Sequence, residues 1–314
     1  MKIAYYYPSQ GELQKEIIIT RFSKHTFLHQ KCDPTIDLIY SASVSVLKKA
    51  LEAKRIYHKP LICWVWDIPY NWREWNLTPE GLEANKNRDK VNAARIEMLR
   101  ECDRIFSASK WTQKILKEQF NLSSEQLYFF IDTHGIDSVP GQVKKNQIIQ
   151  ISRYYYNKKF EHTLEAASGI PNFQTILIGD NLSTPYGLFL KNCAKRNNPE
   201  AMLLENIPRK TLLTLLKQSK VLTSPSVFEG WGITPIEALY SGVPVLLSDL
   251  EVFQEVYGDT VIYHRRNDVL DMHEQLLKLT SDESLQTRIF EKTAPIIAEF
   301  TPEKFIRRWE KNLE

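Results

Sequence analysis

The sequence lacks the features that mark several classes of protein. Its four cysteines, Cys32, Cys63, Cys102 and Cys193, lie far apart and form no Cys-x-x-Cys pair. This spacing excludes a zinc ribbon and offers no disulfide framework. No apolar run approaches the roughly 20 residues that a membrane-spanning helix needs, and the N-terminus, MKIAYYYPSQ, lacks the apolar core of a signal peptide. We therefore expect a cytoplasmic protein.

The sequence also lacks a strong excess of either charge and the common hydrolase motifs. Its 41 basic and 38 acidic residues give a formal net charge of +3, which is too small to indicate a nucleic-acid partner. There is no Gly-x-Ser-x-Gly, His-Glu-x-x-His or Walker A segment, so hydrolase and P-loop functions have no support.

What the sequence does contain is a repeated alternation of short apolar runs and amphipathic helical stretches, which predicts βαβ units around parallel sheets. The polar segment Asp137–Asn146, with its Pro and Gly, is the best linker candidate. The fold class is therefore α/β, with two doubly wound Rossmann-like domains at 1–145 and 146–296. The C-terminal segment 297–314 contains a predicted helix at Pro302–Leu313, capped by Thr301. The predicted strands are Lys2–Tyr7, Ile36–Ser41, Leu61–Trp66, Arg104–Ala108 and Gln126–Ile131, then Gln147–Ser152, Gln174–Gly179, Ala201–Leu204, Val221–Thr223, Val243–Ser248 and Val261–Tyr263.

Residues 221–248, VLTSPSVFEGWGITPIEALYSGVPVLLS, carry most of the functional information. A short strand leads into a loop with Gly230 and Gly232, and a helix follows in which Thr234 suits the N-cap, Pro235 the first position and Glu237 the third. A glycine loop before a helix N-terminus lets backbone N–H groups approach an anion. The pattern therefore predicts a phosphate ligand.

Glu229 and Glu237 lie on either side of this loop. Each has an ordinary interpretation, since Glu237 could complete a capping box with Thr234 and Glu229 could be a solvated loop acid. Together they indicate more, because carboxylates accept paired hydrogen bonds from neighbouring hydroxyls. A phosphate loop between two sugar-binding acids describes a site for a nucleotide sugar.

This stretch resembles the Glu-x7-Glu signature of retaining glycosyltransferases with the GT-B fold, family 4 type (glycosyl transferases group 1). The surrounding Ser-Pro-Ser, Gly-Trp-Gly, Glu-Ala-Leu and Gly-Val-Pro-Val segments match as well. The resemblance implies that Glu229 contacts the donor hexose, that Glu237 contacts the ribose, and that the donor lies in a cleft between the two domains. It also implies donor contacts from the loop and helix start at Gly230, Trp231, Gly232, Ile233 and Thr234.

The family opens its C-terminal domain with a strand, then Gly-Arg, and then a lysine about five residues on. Arg153 and Lys158 match these positions, and such cations would stabilise the departing nucleoside diphosphate. Without the glutamate pair, the simpler interpretation would be that Arg153 and Lys158 are only surface charges. Ser152 replaces the family's Gly before the arginine, and Lys159 replaces the Gly after the lysine, so Lys159 is an alternative phosphate ligand.

The first half of the chain offers weaker matches. Gly11 resembles a glycine that touches the donor phosphate or the acceptor, although a plain turn explains it equally well. Asp67 follows a strand where the family often has His-Asp, but Trp66 takes the histidine position. Trp72 and Trp75 follow it, and their indoles suit either acceptor contact or loop packing. The basic helix within 44–56 suits an anionic lipid surface or simple solvation.

The resemblance implies that a hexosyl group moves from UDP- or GDP-hexose to a hydroxyl of a glycan or lipid-linked glycan, with the N-terminal domain binding the acceptor and the C-terminal helix packing back on it. No Asp-x-Asp pair is present to hold a divalent metal on the diphosphate, so we expect no metal and no other cofactor. The alternatives are a nucleotide-sugar epimerase of the same fold and an inactive transferase-like scaffold protein.

Overall fold

The computed structural model describes residues 1–7, 23–68, 82–83 and 86–313. The predicted site residues Gly11, Trp72 and Trp75 lie outside these ranges. The described chain forms two compact units. The first is built from the described residues within 1–70, 86–132 and 300–314, and the second from those within 71–85 and 133–299.

The first unit is organised around a six-stranded parallel sheet with the strand order β2-β1-β3-β4-β5-β6. Its middle strands β3 and β4 are buried throughout, as expected where helices cover both faces of a parallel sheet. The strands are β1 Lys2–Tyr6, β2 Thr26–His29, β3 Leu38–Ser41, β4 Leu61–Val65, β5 Arg104–Ser107 and β6 Glu125–Gln126, and the helices between them are α1 Leu47–Tyr57, α2 Arg88–Arg100 and α3 Lys110–Phe120.

The second unit has its own six-stranded parallel sheet, in the order β12-β11-β10-β7-β8-β9. Its strands are β7 Gln147–Ile151, β8 Gln174–Gly179, β9 Met202–Glu205, β10 Val221–Ser224, β11 Val245–Ser248 and β12 Ile262–His264. Its helices are α4 Thr133–Asp137, α5 Phe160–Ala167, α6 Pro185–Asn197, α7 Arg209–Gln218, α8 Ile233–Tyr240, α9 Glu251–Tyr257, α10 Val269–Ser281 and α11 Glu283–Glu299.

The last helix, α12 (Pro302–Leu313), belongs to the first unit. The Trp309 ring stacks on Phe27 at a centroid distance of 5.9 Å and meets Tyr40 edge-on at 5.5 Å. Phe305 stacks on Trp64 at 5.3 Å. Because Trp309 is fully buried, the aromatic face of α12 closes the core of the first unit.

The strand predicted at Gln126–Ile131 is wrong, because regular pairing ends at Gln126. Leu127 still bonds to the sheet, since its backbone N–H donates to the Ser107 carbonyl at 2.8 Å. Beyond it the chain leaves the ladder, and the Ile131 N–H donates to Phe300 at 3.0 Å. The apolar run that suggested a strand instead packs against the C-terminal aromatic residues, with Phe130 and Phe305 centroids 4.7 Å apart.

The segment 133–145 belongs to the second unit, although the sequence indicated a boundary after 145. Side chains of that unit hold it in place. Lys217 Nζ donates to the Ile136 carbonyl at 2.7 Å, and the Tyr240 hydroxyl donates to Asp137 Oδ2 at 2.8 Å. These anchors make the polar segment the first part of the second unit rather than a free linker.

The basic helix is shorter than predicted, since a 3-10 turn at Val44–Val46 precedes α1. Within it, Lys54 Nζ donates to Asp103 Oδ2 at 2.8 Å and Arg55 donates to Glu101 at 2.9 Å. These two cations of the basic helix are thus paired with acids of their own unit. None of the helices in the described ranges has the length and apolar character to cross a bilayer.

Candidate functional site

The candidate site lies at the carboxyl ends of β7 and β10, which are neighbours in the second sheet. The chain leaves β7 to pair with β8 on one side and later adds β10 on the other. The order of strands therefore reverses at β7, and the loops that follow β7 and β10 emerge side by side. Such a switch point is where open α/β sheets bind ligands.

Asn157 joins these two loops. Its carbonyl accepts a hydrogen bond from the Val227 N–H at 2.9 Å, and its Nδ2 donates to the Phe228 carbonyl at 3.2 Å. The loop of Arg153 and Lys158 is thereby fastened to the loop of Glu229. These two hydrogen bonds therefore fix the position of one loop relative to the other.

A buried polar network holds the turn at Lys158 through its backbone carbonyl. Gln150 Nε2 donates to the Lys158 carbonyl at 2.7 Å. The Gln150 Oε1 atom in turn accepts from the Thr163 hydroxyl at 2.6 Å, and Thr163 is 3.0 Å from the Thr223 hydroxyl. Since buried polar groups are costly unless paired, this chain of bonds holds the turn in a single position.

Lys158 and Glu229 form a direct ion pair. Lys158 Nζ donates to Glu229 Oε1 at 2.5 Å, and both side chains are largely buried, with 12% and 15% of their surface exposed. The Ser226 hydroxyl donates to the same carboxylate oxygen at 3.0 Å. Glu229 is therefore a positioned acid with two donors, which distinguishes it from a solvated loop residue.

Lys159 does not join this pair. Its backbone is left-handed, with φ of 50° and ψ of 47°, the conformation that Gly adopts most easily. This explains why the related pattern has Gly at this position. Its side chain is buried, and Nζ lies 3.7 Å from Glu161 Oε1. The alternative that Lys159 holds the donor phosphate is therefore disfavoured, and Lys158 is the lysine paired with the site's glutamate.

Arg153 is exposed on the same loop, where its guanidinium lies 5.2 Å from the centre of the Tyr155 ring. The next residue, Tyr154, anchors the loop, because its buried hydroxyl bonds to the Leu177 and Leu204 carbonyls at 2.9 and 2.8 Å. The structure thus holds the backbone beside Arg153 and leaves its charge at the surface. The described contacts do not bring Arg153 to either glutamate.

Helix α8 begins two residues earlier than predicted. Its N-cap is Gly232, with φ of 89°, and its first residue is Ile233, so Thr234 is not the N-cap. A Cβ at Gly232 would lie 2.5 Å from Phe253 Cε1. The positive φ and this close approach both require glycine at the N-cap. Glu237 consequently lies too far into the helix for a capping box with Thr234.

Glu237 is instead paired with Arg209, a residue that the sequence analysis did not identify. Arg209 Nη2 lies 2.5 Å from Glu237 Oε1, and Nη1 lies 3.2 Å from Oε2. The Glu237 side chain is 10% exposed and that of Arg209 is 34% exposed. The signal that could have revealed the pair is a cation at the first position of α7, where the helix dipole favours an anion.

The fully buried Tyr257 lies near both acids. Its hydroxyl donates to the Gly232 carbonyl at 2.9 Å. Burial raises its pKa well above the usual value, and the Glu229 and Glu237 carboxylates raise this pKa further. Tyr257 is therefore a neutral donor that fixes the glycine loop while both glutamates lie near it.

The remaining predicted residues have different environments. Trp231 is almost fully buried and fills the interior, while Ile233 and Thr234 are partly exposed at the start of α8. Asp67 lies in the first unit, half-buried just after β4. The described ranges contain no cluster of three or more His, Cys, Asp or Glu side chains suited to a metal ion.

Residues 136–294 match the sequence family described as Glycosyl transferases group 1. Among curated proteins, the O-antigen chain mannosyltransferase RfbU of Salmonella typhimurium is 22% identical over 173 residues, which is 54% of this chain and 49% of that protein. The O-antigen chain mannosyltransferase B of Escherichia coli is 32% identical over 78 residues, or 25% of this chain and 20% of that protein. These matches span half or less of each curated relative.

Solved structures resemble the whole chain. Anabaena HepE in complex with UDP-glucose has a TM-score of 0.78 at 14% identity and covers 100% of this chain and 99% of its own. Sucrose-phosphate synthase from Thermosynechococcus elongatus has a TM-score of 0.77 at 12% identity, with coverages of 100% and 98%. The predicted α/β fold class of GT-B type is thereby confirmed. Because the family match spans half of the chain and contains both paired glutamates, the chain belongs to the glycosyl transferases group 1 family.

Proposed function

We propose that the protein is a retaining glycosyltransferase that moves a hexosyl group from UDP- or GDP-hexose to a hydroxyl of a glycan or lipid-linked glycan, without a metal ion. One observation carries the proposal. The two glutamates of the Glu-x7-Glu segment lie at the switch point of one parallel sheet, and each is already paired with a cation, Lys158 or Arg209.

The charges of the site suit a diphosphate. The two ion pairs offset the negative charges of Glu229 and Glu237, so these carboxylates repel a bound diphosphate less than unpaired acids would. Arg153 adds an exposed cation from the loop beside them. The backbone N–H groups at the start of α8 follow the same glycine loop, and a helix N-terminus favours a bound anion.

Each residue then has a distinct task. Glu237 accepts hydrogen bonds from the ribose hydroxyls, and Glu229 accepts them from the hexose hydroxyls. Arg153 and Lys158 stabilise the negative charge that develops on the departing diphosphate. The bond from the anomeric carbon to the phosphate oxygen breaks, the acceptor oxygen bonds to the same face of that carbon, and the acceptor proton passes to the departing phosphate oxygen. Glu229 orients the sugar and forms no bond to it.

The relatives suggest a setting for this reaction. Two curated relatives are named O-antigen chain mannosyltransferases, and two HepE structures hold UDP-glucose or UDP with glucose. We infer a role in the assembly of a surface polysaccharide. We assign acceptor binding to the first unit, where Asp67 lies, and keep Trp72 and Trp75 as further candidates for acceptor contact. A cytoplasmic location with peripheral membrane contact would suit a lipid-linked acceptor.

Product analysis tests the function. The protein is incubated with UDP-glucose, UDP-galactose or GDP-mannose, with and without a pool of polysaccharide fragments and with EDTA in a parallel series. Transfer that needs the fragments, keeps the anomeric configuration by NMR and survives EDTA supports the proposal. Conversion of the donor sugar without any fragment indicates the epimerase. Donor binding without turnover indicates the scaffold protein.

A further inference from the structure

Arg209 contacts Glu237 through a two-pronged hydrogen bond. One guanidinium nitrogen faces each carboxylate oxygen, at 2.5 and 3.2 Å, as in the strong bidentate geometry of arginine with carboxylates. The two residues come from different elements, because Arg209 opens α7 and Glu237 lies within α8. The pair thus joins the helices that follow β9 and β10, two strands that β7 and β8 separate in the sheet.

The location of Arg209 is unfavourable unless it serves such a partner. It is the first residue of α7, where the helix dipole repels a cation. The helix has no side-chain N-cap that would offset this cost. The half-buried guanidinium also loses part of its hydration. A bidentate carboxylate offsets both penalties and, in return, holds the Glu237 side chain in one rotamer.

Glu237 keeps acceptor capacity after this pairing. A carboxylate offers about four lone-pair positions, and the arginine fork takes one on each oxygen. Two remain, one on each oxygen, which is what a pair of neighbouring ribose hydroxyls requires. A carboxylate held in this way does not lose side-chain entropy when the nucleotide binds, so binding is tighter than to a free one.

We propose that Arg209 is a positioning residue of the donor site, which fixes the Glu237 carboxylate so that it discriminates in favour of a ribonucleotide. This inference rests on the proposed function, since it takes Glu237 as the contact for the ribose. Arg209 acts through Glu237 and is not assigned any contact with the reacting atoms. The opposite arrangement, in which the ion pair blocks Glu237 and must break before ribose binds, predicts an effect of the opposite sign.

The test compares binding of UDP and GDP with that of their 2′-deoxy forms by isothermal titration calorimetry. For whichever diphosphate the wild type binds, we expect the missing hydroxyl to weaken binding about tenfold, as for one hydrogen bond to a charged group. Arg209→Met should weaken binding of the ribonucleotide about tenfold and reduce the 2′-deoxy penalty to about twofold. Glu237→Gln should reduce the same penalty. The double variant, with Arg209→Met and Glu237→Gln together, should bind the ribonucleotide no more weakly than whichever single variant binds it less tightly.

Lys210→Met is the matched control. It removes the same charge from the next, exposed position of α7, and it should leave the affinity and the 2′-deoxy penalty unchanged. Arg209→Lys keeps the charge but loses the fork, so it should recover part of the affinity and little of the discrimination. Because the lysine variant keeps a cation beside Glu237, it provides the reading if Arg209→Met does not fold.

The outcomes are distinguishable. A full 2′-deoxy penalty in Arg209→Met, or tighter binding than wild type, overturns the positioning role and leaves the donor site standing. Failure of the wild type to bind either diphosphate removes the proposed function, and the inference about Arg209 falls with it.

Discussion

Gly232→Ala should be among the most damaging single-methyl additions in the chain. Two separate terms act at this position. The backbone has φ of 89°, which non-glycine residues reach only at a cost of about 1–2 kcal/mol. The new Cβ would also lie 2.5 Å from Phe253 Cε1, well inside the roughly 3.5–4.0 Å of a normal carbon–carbon contact.

Phe253 has no room to move away, because it is fully buried. Overpacking of this kind typically costs about 1–3 kcal/mol. We therefore expect Gly232→Ala to lower the free energy of unfolding by about 2–5 kcal/mol in urea titrations. Because Gly232 also caps α8 and its carbonyl accepts from Tyr257, nucleotide affinity should fall in the fraction that remains folded.

Gly242→Ala provides the matched control. Gly242 also has a positive φ, of 69°, but a Cβ there would meet nothing within 4 Å. Only the backbone term remains, so a loss of about 1–2 kcal/mol is expected. In a Phe253→Leu background the extra cost of Gly232→Ala should shrink toward that of Gly242→Ala. Equal costs for the two alanine variants in the wild-type background would refute the steric argument.

Three further predictions concern residues around this framework. Burial, with a contribution from the nearby Lys159 charge, lowers the pKa of His162 to about 4, while the unfolded chain keeps a pKa near 6.5. Between these pH values the unfolded chain binds more protons, so the free energy of unfolding falls as pH drops from 6.5 to 4, by up to about 3 kcal/mol. His162→Gln should flatten this dependence of stability on pH in unfolding titrations, and an unchanged dependence would contradict its assignment to His162. Tyr154→Phe removes the hydroxyl that anchors the Arg153 loop to two strand carbonyls, and we expect a stability loss of about 1–2 kcal/mol in urea together with weaker nucleotide binding. Trp309→Ala should lower the free energy of unfolding by about 3–5 kcal/mol in thermal or urea titrations, because the ring is fully buried. Nucleotide affinity measured below the unfolding transition should stay unchanged, and a loss of that affinity would contradict the assignment of nucleotide binding to the second unit alone.

The periodic parts of the fold could be predicted closely from the sequence. The strand Gln174–Gly179 and the helix Pro302–Leu313 have the bounds that their patterns predicted. Both are regular. The strand is built on the apolar run 176–178 and ends at a Gly, and the helix begins at a Pro after Thr301, whose hydroxyl accepts from the Lys304 N–H at 3.4 Å. Local chemistry determines these elements, so a local pattern reveals them.

Elements that depend on distant contacts could not be predicted in this way. The strand Thr26–His29 was missed because it is a half-exposed edge strand without alternation. The apolar run after Gln126 looked like a strand, but its partners lie near the other end of the chain, at Phe300 and Phe305. A single sequence does not indicate which distant surface an apolar run will cover.

The candidate site also combines residues that a local pattern predicts with residues that depend on distant contacts. Glu229, Lys158 and Glu237 could be identified from spacing and resemblance, and the structure pairs the first two directly. Arg209 was not identified, because a cation at the start of α7 does not show which acid the fold will place beside it. The start of α8 at Ile233 was also missed, because the close approach of Phe253 that requires Gly232 at the N-cap is not visible in a local pattern.

The central claim is that the two glutamates divide the donor, with Glu237 at the nucleotide and Glu229 at the sugar. The most direct measurement is calorimetric titration of wild type, Glu229→Gln and Glu237→Gln with UDP, GDP and their hexose conjugates. We predict that one nucleotide class binds, that Glu237→Gln weakens the free diphosphate and its conjugate alike, and that Glu229→Gln removes only the extra affinity of the conjugate. Equal effects of both substitutions on the free diphosphate, or no binding of any nucleotide by the wild type, would contradict the account.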